Sequence, residues 1–138
     1  MQKIILVSCV KTKLSHSAKA MFLYTSPLFR SNLHYATMLK PDKIFILSAK
    51  YGLLELQQVI EPYDMTLNKM RESEKKAWAQ TVLHDLRLKT DLQNDLFIFL
   101  AGANYRKYLL PAIRHYEIPF EGLSFGQQLH ALKRLLDE

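Results

Sequence analysis

Three short runs, Ile4-Ile5-Leu6-Val7, Ile44-Phe45-Ile46-Leu47 and Leu96-Phe97-Ile98-Phe99-Leu100, are continuously apolar and rich in isoleucine, leucine, valine and phenylalanine. Alternate side chains of a strand point to opposite faces, so an unbroken apolar run marks a strand covered on both sides. The runs predict strands over 4–10, 43–49 and 95–102. Between them the apolar spacing changes to that of helices. In 26–40, Ser26 stands as a cap and Pro27 at the first helical position, Leu28, Leu33, Ala36 and Leu39 recur, and Pro41-Asp42 closes the segment. In 73–89, Ser73 reads as the cap, Glu74 lies in the first turn, and Trp78, Val82 and Leu86 fall on one face. A further helix starts near Asn104 and must be kinked or divided by Pro111, and Ser124 with Gln127 forms a capping-box pattern before Leu129, Leu132 and Leu136. Strands alternating with helices predict an α/β fold, a three-layer sandwich with a small, mostly parallel sheet flanked by helices. No repeat or low-complexity segment interrupts the pattern, and residues 1–138 are expected to form a single domain able to bury a core.

The pattern breaks at the end of each strand. The first run passes into Ser8-Cys9-Val10-Lys11-Thr12-Lys13, the second into Ser48-Ala49-Lys50-Tyr51-Gly52, and the third into Ala101-Gly102-Ala103-Asn104-Tyr105. In open parallel sheets the ligand crevice lies beyond these carboxyl ends. Small residues there admit a ligand or a sharply turning backbone, so both a site and plain strand-to-helix turns remain open at each exit. Together the exits predict one crevice lined by Ser8, Lys11, Ser48, Lys50, Gly52 and Gly102, with Asp64 brought to it by a later loop.

Charge sharpens this picture. Residues 1–50 carry eight Lys/Arg against Asp42 alone, a net +7, whereas residues 51–138 carry eleven against twelve, a net −1. A field concentrated in one third of a chain favours a phosphate-bearing partner, although small basic domains also owe such charge to solubility. Composition removes other classes. The single cysteine excludes an internal disulfide and a Cys-rich zinc site, the five histidines include no i, i+4 pair, and no metal or other cofactor is expected. No apolar run reaches bilayer length, and the apolar core of MQKIILVSCVKTK is too short for a signal peptide, so a cytoplasmic protein without a membrane partner is expected. Oligomeric state is not legible from these features.

The ordered blocks ILVSCVKTK, LYTSPLFR, FILSAKYGLLELQQVIEPYDMTL, LAGANYRKYLLP and GLSFGQQLHAL resemble a family of small bacterial and phage domains of unknown function. That family's pattern runs S-C-x-K-x-K, L-Y-x-S-x-L-F, S-A-K-Y-G-L-L, I-x-P-Y-D, A-G-x-x-Y and G-x-x-x-G-x-Q. More distantly the chain is similar to the YaaA peroxide-stress proteins, through the small-residue-Tyr-Gly-Leu-Leu turn and the Pro-Tyr element. It is also similar to the catalytic core of archaeosine synthase, with Ser8-Cys9 where that core has Pro-Cys. Both distant resemblances imply nucleic acid or a nucleotide or nucleoside as partner. The length leaves no room for the helix-hairpin-helix insertion of the former.

Chemistry can be assigned to particular residues on this footing. Asp64, on the loop that Pro62 stiffens, suits an acid/base group or a stabiliser of the oxocarbenium ion in glycosidic cleavage; a loop-holding aspartate is the structural alternative. Lys11, Lys13 and Lys50 suit phosphate grips, Lys50 suits an amine nucleophile, and Cys9 a thiol nucleophile, while solvated lysines and a small buried cysteine are the alternatives. Tyr51, Tyr63 and Tyr105 are flat groups near the exits, able either to stack a base or to edge the core. Tyr24 and Ser26 stand at a helix N-terminus, and Gln127 or Gln128 can read a base edge if the last loop reaches the crevice. Two functions follow: an enzyme directed at a nucleobase or nucleoside, of glycosidase or base-exchange type, and a non-catalytic nucleic-acid or nucleotide-binding module.

Overall fold

The structure is a computed structural model, and it describes residues 1–8 and 13–137. Cys9 and Lys11 therefore lie outside the described residues. In chain order the elements are β1 (Lys3–Ser8), β2 (Ala18–Lys19), α1 (Ala20–Leu23), α2 (Pro27–Met38), β3 (Lys43–Ser48), β4 (Gly52–Glu55), β5 (Val59–Ile60), α3 (Glu72–Lys89), β6 (Leu96–Leu100), α4 (Ala103–Arg106), β7 (His115–Glu117) and α5 (Phe125–Leu136). Short 3-10 turns cover Leu67–Lys69 and Leu110–Ala112.

The main sheet has the order β4-β3-β1-β6-β7. β3, β1, β6 and β7 run parallel, and β4 pairs antiparallel with β3. This is the mostly parallel sheet flanked by helices that the apolar runs predict. Strand alternation divides the apolar side chains between two cores. Ile4, Leu6, Phe45, Leu47, Phe97 and Phe99 face α3 and Tyr105 of α4, whereas Ile5, Val7, Ile46, Ile98 and Leu100 face α1 and α2. α5 packs along α2. Among the described residues, no helix is long and apolar enough to cross a membrane.

Local details follow the predicted caps in two helices of three. The Ser26 hydroxyl accepts the Phe29 amide, and Ser124 and Gln127 exchange the two bonds of a capping box. α3 departs from expectation: its cap is Arg71 and Ser73 is already helical. Glu74, three residues into the helix, reaches back with its carboxylate to accept the Arg71 amide (3.1 Å), the glutamate half of a capping box, which marks Arg71 as the cap. Pro111 does divide its segment, leaving the single turn α4 and a separate 3-10 turn.

The order of strands creates a gap. From β1 the chain crosses to β3 on one side, carrying α2 over one face. From the β3–β4 hairpin it returns past β1 to β6 on the other side, carrying α3 over the opposite face. At their carboxyl ends the chain leaves β1 toward β3 and leaves β6 toward β7, in opposite directions, which opens a crevice between β1 and β6.

Candidate functional site

A cavity of about 170 Å³ occupies that crevice. Ser8 closes β1 beneath it and Leu100, Ala101 and Gly102 close β6. The first turns of α2 contribute Ser26, Phe29 and Asn32, α5 contributes Phe125 and Gln128, and Tyr105 and Asn68 complete the wall. Ser8 and Gly102 bind the two strand ends together, the Ser8 hydroxyl accepting the Gly102 amide at 3.2 Å. The described residues around the cavity include no charged side chain.

One atom here is anomalous. Asn32 is 3% exposed, and its Oδ1 is buried with no hydrogen-bond partner among the described residues. Leaving a buried acceptor unmatched costs about 1–3 kcal/mol, so a fold retains one only where something else recommends it. Asn32 lies one turn after Phe29 and one turn before Ala36, both buried, so helix geometry carries its amide inward to the cavity wall.

The sequence-predicted residues separate into two groups. Ser8, Ser26, Gly102 and Tyr105 line the cavity. Tyr105 is 2% exposed, and its hydroxyl accepts the Leu67 amide at 3.3 Å while its ring meets Trp78 edge-on. The second group surrounds the β3 end. Ser48, fully buried, accepts the Tyr51 amide (3.0 Å) and donates to the Tyr63 hydroxyl (2.9 Å), which is 2.7 Å from the Tyr24 hydroxyl. The Ser48 carbonyl accepts the Trp78 indole N–H at 2.8 Å. Tyr24 is thus core, 1% exposed, with its ring packed on Phe29. Gly52 occupies φ +75° where the chain turns back into β4, and a Cβ there would face Val82 rather than a crevice. The segment SAKYG is therefore a hairpin turn, and the apolar return Leu53-Leu54 is the antiparallel strand β4.

Lys50 is exposed on that turn, its ammonium 5.3 Å from the Tyr51 ring centre. Lys13 sits 4.6 Å from the Tyr63 ring centre, and it shares an open depression with Pro62, Tyr63 and the exposed Asp64. Gln127 belongs to the α5 cap, because its amide completes the capping box; its neighbour Gln128 lines the cavity instead, donating Nε2 to the Leu123 carbonyl at 3.0 Å.

Asn32, Asn68 and Phe125 are wall residues that the strand-exit argument does not reach. Asn68 is held from outside. Its Oδ1 accepts Asn104 Nδ2 (2.7 Å), Asn104 Oδ1 accepts the buried Lys75 ammonium (3.2 Å), and Lys75 also donates to Glu72 (3.1 Å). The Tyr108 hydroxyl, with the Lys75 and Lys107 ammonium groups, lowers the Glu72 carboxyl from an ordinary 4.5 to about 2. Among the described residues, no group of three or more His, Cys, Asp or Glu is placed to hold a metal ion.

Residues 4–134 match the model of a family described as a family of unknown function, DUF6884. A comparison with curated proteins finds no match.

Proposed function

The chain belongs to a family whose description names no activity, and we propose, on the geometry of the site, that the protein binds a nucleobase-bearing ligand. The neutral ring sits in the cavity between β1 and β6, and the sugar and phosphates remain outside, toward Lys13 and Lys50. The observation that carries this reading is the buried, unmatched Oδ1 of Asn32 in a cavity wall of amides, hydroxyls and aromatic rings. Side-chain amides pair with base edges because they carry a donor and an acceptor on one planar group, and aromatic rings pack on base faces. A phosphate in the same cavity would meet no cation among the described residues lining it. Size agrees: a drug-sized ligand needs roughly 300–1,000 Å³, and this cavity of about 170 Å³ suits a ring and not a whole nucleotide. The basic excess of the first third supplies an attraction for the phosphates left outside.

Equilibrium dialysis with nucleosides, their 5′-monophosphates and short single-stranded oligonucleotides, at low and high salt, tests the reading. Nucleoside affinity is expected to be insensitive to salt and oligonucleotide affinity to fall steeply, with Lys13→Ala flattening that slope by about one unit. Inorganic phosphate binding as well as the nucleotides, or no binding of any nucleoside, would overturn it.

A second, catalytic reading is favoured by one further observation: Asp64 shares its depression with Lys13 and Tyr63, and Tyr63 is bonded to the β3 end on the same sheet edge. There Asp64 serves as the acid that protonates the base as its bond to sugar C1′ breaks. Water adds at C1′ in release, and in exchange the Lys50 amine or Cys9 thiol bonds C1′ until an incoming base displaces it and gives its proton to the Asp64 carboxylate. Asp64→Asn separates the two readings. The enzyme loses base release while keeping nucleoside affinity; a binding module shows no base release in either protein.

A further inference from the structure

We infer that Lys75, a residue outside the cavity, is a positioning residue that fixes the polarity of its rim, so that the ligand offers an acceptor to Asn68. The inference rests on the base-binding reading and adds the chemistry of the base's edge. An asparagine amide can be turned over with little change in shape, so its polarity is set by its neighbours. Here the neighbours leave one solution. An ammonium group only donates, and Lys75 Nζ lies 3.2 Å from the Asn104 amide, which must present Oδ1. Asn104 Nδ2 then faces Asn68 at 2.7 Å and must find an acceptor there, so Asn68 directs Oδ1 to it. The Asn68 group left for the cavity is the Nδ2 donor. Glu72 anchors the far end, accepting from Lys75, Lys107 and Tyr108, so the ammonium that starts the relay is held in place from its own side.

Across the cavity the unmatched Oδ1 of Asn32 is an acceptor. A ligand edge that completes both groups carries an acceptor for Asn68 and an N–H donor for Asn32. A neutral heterocycle of the nucleobase kind has such an edge, and a purely apolar ring does not. Inosine and adenosine make a matched pair of probes, because their positions 1 and 6 carry donor and acceptor in opposite order. A rim of fixed polarity must prefer one of them.

Asn104→Asp tests the relay with little change of shape. The carboxylate still accepts from Lys75 but has no N–H for Asn68, so Asn68 turns its own Nδ2 toward Asp at 104 and offers Oδ1 to the cavity. Titration calorimetry is expected to show a preference between the two nucleosides of about tenfold in the wild type, the scale of one discriminating amide contact. Asn104→Asp reverses that order, donor-only Lys75→Arg retains it, and Lys75→Met brings the two affinities to within about twofold. An unchanged order in Asn104→Asp, or equal affinities in the wild type, would overturn the inference. Ligand-free side-chain amide NMR reads the same relay independently. The Asn104 amide protons are expected to exchange slowly and those of Asn68 fast, with Asn68 becoming the slow one in Asn104→Asp; the opposite protection in the wild type would overturn the inference. If neither nucleoside binds while the NMR pattern holds, the base-binding reading falls and the relay stands.

Discussion

β3 and β6 flank β1, run parallel to it, and end at the same edge of the sheet, yet their exits differ in how their polar groups are treated. At the β3 exit, Ser48 bonds Tyr51, Trp78 and Tyr63, Tyr63 bonds Tyr24 in turn, and the chain turns straight back through Gly52 into β4. At the β6 exit the chain moves away through Gly102 into α4, a cavity remains, and the Oδ1 of Asn32 has no partner among the described residues. The lesson is energetic. A polar group matched inside the protein is part of the scaffold, whereas a buried one left unmatched costs free energy that a bound ligand or an ordered water returns. By this criterion the tyrosine-rich turn holds the structure, and the less conspicuous exit holds the proposed site.

The comparison breaks most visibly at Gly52. Its φ of +75° is one that a β-branched residue tolerates badly, although the space toward Val82 is adequate. Gly52→Val is expected to cost about 2 kcal/mol or more, lowering Tm by roughly 4–10 °C, without weakening nucleoside binding in the protein that remains folded. A stable Gly52→Val protein that has lost binding would place the site at the hairpin instead.

Tyr63→Phe is expected to come next. It deletes the hydroxyl that joins Ser48 to Tyr24, at about 1–3 kcal/mol for the groups left unmatched, measured by urea denaturation. Ligand affinity should be unaffected, and a selective loss of affinity would again move the site.

The smallest effect is expected at Glu72, an exposed carboxylate. Its pKa is held at about 2 in the folded protein by Tyr108, Lys75 and Lys107, against an ordinary value of 4.5. A lowered folded-state pKa contributes stability that is fully present above the unfolded value and is lost as pH falls through the folded one. Glu72→Gln is therefore expected to be less stable than the wild type at pH 6, with the gap narrowing between about 4.5 and about 2. A gap that does not change with pH would mean that Glu72 contributes packing rather than charge.

Much of this organisation is legible in the sequence. The three apolar runs give β1, β3 and β6 because both faces of each are covered, and Ser8, Gly102 and Tyr105 follow from their exits. The break at Ser48-Ala49-Lys50-Tyr51-Gly52 reads equally as a strand-to-helix exit and as a hairpin turn, since both need small residues and a glycine. Only the pairing of Leu53-Leu54 with β3 decides. β2, β5 and β7 span two or three residues, too short for any periodicity. Asn32 did leave a signal: a polar residue on the stripe of Phe29 and Ala36, where helical spacing demands an apolar one. Asn68 and Phe125 left none, because long-range packing alone brings them to the same cavity.

Asn32→Leu, followed by thermal melting and nucleoside titration of one preparation, tests the central claim most directly. Leucine fills nearly the same space and removes the unmatched acceptor, so the account predicts an equal or higher Tm together with affinity reduced at least about tenfold. A Tm several degrees lower with affinity unchanged would contradict it, making Asn32 part of the scaffold and the cavity between β1 and β6 no binding site.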